Sequence, residues 1–199
     1  MMKKHSLTRL AALALLTAGT CASAQAQQQG VTDTEIVLGD ILPLTGPPAL
    51  LGVAHNLGVK AAIAEANAAG GIHGRKLRLI SEDDGYVPSR TIQGVRKLIN
   101  SDKVFALTSV SGTAQAQAAM PLIQQAGLPA MAPITTYEGL YKPTIKNVFA
   151  VGYDMSNAVE ELAARMADRY PGKKWALISQ DDDYGENVRE GFERAAKAK

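Results

Sequence analysis

Cysteine is almost absent from this chain: Cys21 is the only one. Residues 16–21 loosely match a lipid-attachment box. Ala18-Gly19-Thr20, however, offers neither the leucine expected at its first place nor the Gly or Ala expected at its last. Lipidation at Cys21 is therefore not expected. A chain that has lost Cys21 has no disulfide, no thiolate nucleophile and no cysteine metal site. Long apolar runs are missing as well. The longest, near residues 10–18, falls short of the ~20 residues that a membrane-spanning helix needs. Charge excess of either sign is also lacking. The formal balance is +2, but Lys3, Lys4 and Arg9 stand at the extreme N-terminus, and the other 18 basic residues face 19 acidic ones. Nucleic-acid binding calls for a basic patch or stripe, so that class of partner is excluded.

What the N-terminus does hold is ordered. Three basic residues, a short apolar stretch and the small residues Ala22-Ser23-Ala24 and Ala24-Gln25-Ala26 form a cleavable secretory signal over 1–26. Cleavage after Ala24 or Ala26 sends the protein to the periplasm. The Gln-rich 27–34 reads as a flexible segment. About 170 residues remain, enough for a domain with a real core.

Beyond it, apolar runs alternate with helical patterns. Strands are expected at 35–44, 76–84, 104–109, 129–134, 148–152 and 174–179. Helices are expected at 53–69, 89–100, 113–126, 156–170 and from 184 onward. In the helix at 113–126, Ala116, Met120 and Ile123 share one face. At 156–170 the stripe is Val159, Leu162, Ala163, Met166 and Tyr170, and in the last helix Val188, Phe192 and Ala195. Near-continuous apolar strands alternating with helices predict an α/β fold: a doubly wound parallel sheet covered on both faces.

In such sheets ligands bind beyond the carboxyl ends of the strands. Four loops qualify: 45–52, 83–86, 109–113 and 135–136. The third, Ser109-Val110-Ser111-Gly112-Thr113, lies between a buried strand and a helix start. Hydroxyls and free backbone N–H groups converge there at a positive dipole end, suited to a carboxylate; ordinary helix capping is the alternative. Catalytic sets are not found. Glu82-Asp83-Asp84 reads as a solvated strand end that caps the next helix. His55 and His73 are too isolated for a metal site. Ser111 lacks the flanking glycines of a nucleophile elbow. Residues 70–76 follow a helix and precede a strand, the reverse of a phosphate loop. No cofactor is expected.

Several segments, in their order, resemble the type I periplasmic binding proteins of the leucine/isoleucine/valine-binding family. They are Pro43-Leu44-Thr45-Gly46-Pro47, EANAAGGIHGRKL at 65–77, Glu82-Asp83-Asp84 with Pro88, and Leu98-Ile99. Ser111-Gly112-Thr113, Gly127-Leu128-Pro129 with Ala132-Pro133, and Asp183-Tyr184-Gly185 follow. The resemblance implies a monomeric substrate-binding component of an ABC uptake transporter. It would hold an amino acid or related small carboxylate between two lobes and deliver it to an inner-membrane permease. On matching positions, Ser111 contacts the ligand carboxylate through hydroxyl and backbone, Ile134 contributes its backbone and Thr136 its hydroxyl. Tyr184 closes over the ligand from the second lobe. Ser109, Val110 and Asp154 match positions near the pocket, and Leu51 stands where an aromatic is usual. Leu51 and Ile134 make the lining bulkier and more apolar than branched-chain amino acids require.

The first lobe is expected at 35–151 and the incomplete start of the second at 152–199. Because Lys199 falls inside a helix with no capping Gly or Pro, the chain is expected to be a truncated product with weak or no affinity of its own. Two other readings are a secreted α/β hydrolase using Asp83 or Asp84, and an extracytoplasmic sensory domain of the same fold.

Overall fold

The computed structural model of the chain describes residues 28–131, 133–135 and 137–198. The secretory signal expected over 1–26, with Cys21, and Thr136 lie outside the described residues. Five parallel strands form one sheet: β1 (Glu35–Leu42), β2 (Lys76–Asp83), β3 (Ala106–Val110), β4 (Ala130–Met131) and β5 (Val148–Phe149). Their order is β2-β1-β3-β4-β5. Helices α1 (Ala49–Ala68), α2 (Pro88–Asn100) and α3 (Thr113–Gln125) link the first four strands; α4 (Met155–Arg169) and α5 (Asp183–Lys197) follow the last.

The faces of β1 show how the sheet is wrapped. A Cβ on Gly39 would touch Leu98 of α2, and one on Gly94 of α2 would run into Ile41, so α2 lies against the Gly39–Ile41 side. Asp40, between them, points to the opposite side and accepts a 3.0 Å bond from Asn56 of α1. Helices therefore cover both faces, as continuous apolar strands require. The main core lies between the sheet and α2–α3, where Leu98, Leu107, Val110, Ala116 and Ile123 have no more than 1% exposure. Full burial of each large aliphatic side chain contributes about 1.5–3 kcal/mol.

Two registers place the functional end. β1 and β2 pair evenly from Glu35↔Lys76 to Leu42↔Asp83, whereas β1 and β3 slip between Gly39 and Asp40, so that Asp40 stands beside Ser109. The carboxyl ends of these strands are tied together by Asp83. Its Oδ1 accepts from the N–H groups of Leu44, Thr45 and Gly85, and its Oδ2 from the Thr45 hydroxyl at 2.6 Å. Asp84 is fully buried and accepts from the Tyr86 N–H and the Thr91 hydroxyl, bracing the loop against α2 rather than capping it: the expected cap is not made, since the N-cap position is Val87 and no side chain bonds there. Asp83 and Asp84, the residues the hydrolase reading would use, thus serve as loop staples.

Some expected elements differ. Helix α1 begins at Ala49, directly after Pro48, four residues before the expected start. Gly52 lies in its first turn, where a Cβ would collide with the Pro43 carbonyl. The strand expected at 129–134 is only Ala130–Met131, with a separate bridge from Ser111 to Ile134, and that at 148–152 is Val148–Phe149. The strand expected at 174–179 is extended but unpaired. Trp175 is 43% and Ile178 96% exposed; with no neighbouring strand among the described residues, its apolar pattern has no ladder to join. Helices α4 and α5 pack closely side by side, a Cβ on Gly191 running into the Ser156 carbonyl, and their stripes together line an open groove of about 640 Å³ rather than a filled core; Leu162 and Tyr170 stay exposed. Among the described residues no helix is long and apolar enough to cross a membrane.

Candidate functional site

A cleft of about 1050 Å³ opens at the carboxyl ends of the strands. Pro47, Pro48, Leu51 and His55 approach from the β1–α1 connection and α1, and Gly85 and Tyr86 from the loop after β2. Ser111, Gly112 and Thr113 form the floor at the start of α3, and Pro133, Ile134 and Thr135 extend it after β4. Val151, Gly152, Gln180 and Tyr184 supply the opposing side.

The floor is built around Gly112. Its φ of +98° and ψ of 146° form a backbone shape that is essentially glycine's alone. The turn aims the first amides of α3 outward, and no side chain caps them; such N–H groups have no partner within a helix. Gln115, one turn in, donates from Nε2 to the Tyr86 carbonyl at 2.8 Å, fixing the β2–α2 loop to α3. Gly85 and Tyr86 both hold positive φ, 55° and 65°, which turns the Tyr86 ring toward the cleft. Thr113 and Thr135 share a 2.7 Å hydroxyl contact that ties the loop after β4 to the helix start.

Of the expected ligand contacts, Leu51, Ser111, Ile134 and Tyr184 line this cleft. The Ser111 hydroxyl is buried and has no hydrogen-bond partner, so no competing bond holds it. Its N–H is already engaged with the Ile41 carbonyl at 3.3 Å. Ile134 is likewise committed, donating to Val110 at 2.9 Å and accepting from the Gly112 N–H at 3.1 Å. The hydroxyl and the α3 amides, rather than these two backbone N–H groups, are what the floor leaves open. Ser109 and Val110 are each 1% exposed inside β3 and do not reach the cleft. Asp154 also lies off it. Its carboxylate accepts from the Ser156 N–H and hydroxyl at the start of α4, the Asp-x-Ser spacing of an N-cap.

Sequence reading passed over His55, Tyr86, Thr135 and Gln180 as individual contacts, although the loops at 83–86 and 135–136 were marked. Burial holds the Tyr86 phenol above its ordinary value of 10.0, offset by a hydrogen bond with Gln180 from the opposing side. Asp182 sets that side, accepting from the N–H groups of Tyr184 and Gly185 at 3.0 and 3.1 Å. Beneath α1, Asp40 has zero exposure; burial raises its carboxyl above the ordinary 3.8, while bonds with Ser81 and Asn56 and the nearby His55 and Lys60 pull it down. No group of three or more acidic, histidine or cysteine side chains able to hold a metal exists among the described residues. The cleft therefore offers an apolar lining, two phenols, a free hydroxyl and a helix N-terminus: equipment for holding an anion with an apolar body.

The proteins this chain resembles are named as binding proteins and receptors. The chain is 30% identical over 197 residues to the Leu/Ile/Val-binding protein homolog 7 of Brucella suis, covering 94% of this chain and 46% of that protein. A possible leucine/isoleucine/valine-binding protein from Rhodopirellula baltica superimposes with a TM-score of 0.76 at 28% identity, over 83% of this chain and 44% of the other. An extracellular ligand-binding receptor from Verminephrobacter eiseniae gives 0.73 at 30% identity, over 83% and 47%. The chain thus spans about half the length of the relatives it matches. The family model described as periplasmic binding protein matches residues 35–199. With the parallel sheet and its strand-end cleft already in place, that match makes the chain a member of the periplasmic binding protein family.

Proposed function

We propose that this chain belongs to the solute-binding component of an ABC uptake transporter, which captures an amino acid or related small carboxylate and presents it to an inner-membrane permease. The observation that carries the reading is the cleft floor: an unpartnered Ser111 hydroxyl beside the uncapped N-terminus of α3, at the carboxyl end of a parallel sheet. Anionic groups are stabilised there by about 0.3–1 kcal/mol from the helix dipole alone, and charge-assisted hydrogen bonds add about 1.5–3 kcal/mol.

In this reading Ser111 takes the carboxylate, and Thr136 contributes a hydroxyl from the same loop as Thr135. Leu51 and Ile134 contact the apolar body, and Tyr184 covers it from the opposing side; Ser109 and Val110 support the floor from within β3, and Asp154 sets the start of α4. Residues 35–151 form one lobe and 152–199 part of a second. The segment 1–26 is the export signal, cleaved after Ala24 or Ala26. The protein acts as a monomer, without cofactor and without catalysis.

Because the opposing side here rests on few residues, the affinity expected of this chain is weak, about millimolar, or 4 kcal/mol. Ligand-detected NMR against branched-chain, other amino acid and small aromatic carboxylate probes tests the reading. Saturable binding that is weakened in Ser111→Ala is the expected result. Absence of saturable binding to every carboxylate, or binding indifferent to Ser111, would overturn it.

A further inference from the structure

His55 is the polar side chain of the cleft that neither the fold nor the carboxylate site requires. It stands on α1 one turn after Leu51, on the same stripe, and both residues line the cleft. Its Nε2 is shielded from solvent and has no hydrogen-bond partner. The groups around it share that condition. Asp40 of β1 lies close enough for its carboxyl to sense the imidazole, and its Oδ1 is buried and unpaired. Ser109, paired in register with Asp40 on the next strand, carries a third buried hydroxyl without a partner. Register partners in a parallel ladder share a face of the sheet, and Ser111, two residues on, shares the face of Ser109. A polar row thus runs from Ser111 through Ser109 and Asp40 to Ser81. Helix α1 covers it, with Asn56 bonded to Asp40 and to Ser81 at 2.7 Å.

Helix faces that only pack on a sheet are apolar, because each buried unsatisfied polar group costs about 1–3 kcal/mol. Four orphaned atoms meet at this face, those of His55 and Ser111 on cleft-lining side chains, and they mark a place where a polar group is received rather than excluded. The Asp40 carboxyl has zero exposure, whereas the His55 ring borders the cleft.

We propose that His55 is a specificity-determining ligand contact at the cleft end of this polar row. The subsite takes a hydroxyl or similar neutral polar group on the end of the ligand opposite its carboxylate. This inference rests on the carboxylate-binding reading above and names the ligand class within it: small carboxylates with an apolar body and a second, distal hydrogen-bonding group. A hydroxyl suits the site because it can donate to or accept from either imidazole tautomer.

The test uses the whole chain with isotope-labelled histidine and tyrosine. Benzoate and 4-hydroxybenzoate serve as a matched pair of probes that differ by one distal hydroxyl. The expected result is a ligand-dependent shift of the His55 ring signal but not of His73, which lies in an exposed turn. 4-Hydroxybenzoate should bind about tenfold more tightly than benzoate, as one satisfied hydrogen bond gives. His55→Phe should remove that ratio, and His55→Gln, which both donates and accepts, should keep part of it. Shifts at Tyr86 and Tyr184 with His55 silent, or an equal preference in His55→Phe, overturn this inference alone. No ligand-dependent shift at any of these rings overturns the binding reading together with it.

Discussion

Gly112→Ala is the most informative single change, because two separable costs meet at that residue. The first is conformational. A side chain at φ +98°, ψ 146° occupies a region that costs about 1–3 kcal/mol outside glycine. The second is steric. The added Cβ would overlap the Gln115 Oε1 and come within 2.8 Å of the Tyr86 ring. Gln115 is 1% exposed and is held by its 2.8 Å bond to the Tyr86 carbonyl, so it cannot swing into solvent. Moving it breaks a buried hydrogen bond, about 1–3 kcal/mol more. The sum is about 2–6 kcal/mol, a large share of the roughly 5–15 kcal/mol typical of a domain.

Gly127→Ala supplies the control. Gly127 ends α3 at φ +61°, and a Cβ there meets nothing within 4 Å, so only the left-handed backbone cost of about 1–2 kcal/mol applies. Urea unfolding followed by circular dichroism measures both, with equal m-values as the sign that two-state comparison holds. The reasoning is refuted if Gly112→Ala falls within about 0.5 kcal/mol of Gly127→Ala, since the steric part would then be missing.

Three further outcomes follow from the same geometry. Asp40→Asn should gain stability relative to the parent as pH rises from about 4. Burial raises the folded Asp40 pKa above 3.8, so the folded parent binds the extra proton and loses stability as pH climbs through that window. Asp84 is raised too but is common to both proteins; a difference that is constant with pH, or reversed, contradicts the assignment. Asp182→Ala should cost about 1 kcal/mol as a lost helix cap, read as faster amide exchange through the first turn of α5, where Tyr184 and Gly185 donate to it. Ile178→Lys, at a side chain 96% exposed, should leave the unfolding free energy within about 0.5 kcal/mol while lowering binding of an apolar dye; unchanged dye binding counts against an open apolar surface there.

The helices were the most legible part of the fold, and for a local reason. Val95, Ala116, Met120 and Ile123 recur at helical spacing and are buried as that spacing demands. Strands carry less local information. An apolar run does not reveal its neighbours, so the order β2-β1-β3-β4-β5 could not be read. Residues 174–179 look like a strand yet remain unpaired, because pairing belongs to the partner as much as to the run. The site divides in the same way. Ser111 was visible because Ser-x-Ser-Gly-Thr concentrates hydroxyls at a strand-to-helix turn. His55 looked isolated because its companions, Asp40, Ser109 and Ser111, come from other strands and meet it only through the register of β1 and β3. Asp154 invited a pocket role, but its own Asp-Met-Ser sequence carried the stronger, local signal of a helix cap.

The distribution of unsatisfied polar atoms ties stability to binding. Among the described residues six buried side-chain atoms lack a partner: one is Asn187 Oδ1 on α5, and five belong to Ser111 and His55 on the cleft and to Gln115, Asp40 and Ser109 behind it. Every such atom costs the folded chain about 1–3 kcal/mol, and all five gather at one end of one sheet, although the apolar core between the sheet and α2–α3 is well filled. A ligand that satisfies even two of them removes a penalty the unliganded chain bears, and it does so in the folded state only. Binding linkage then requires stabilisation of about 2.7 kcal/mol at a ligand concentration one hundred times the dissociation constant. Ser111→Ala and His55→Phe should behave alike: each stabilises the unliganded chain slightly by deleting an orphan, and each narrows the gain on adding ligand. A substitution that destabilised the unliganded protein and left the ligand-induced gain intact would place that residue in the architecture rather than in the binding surface.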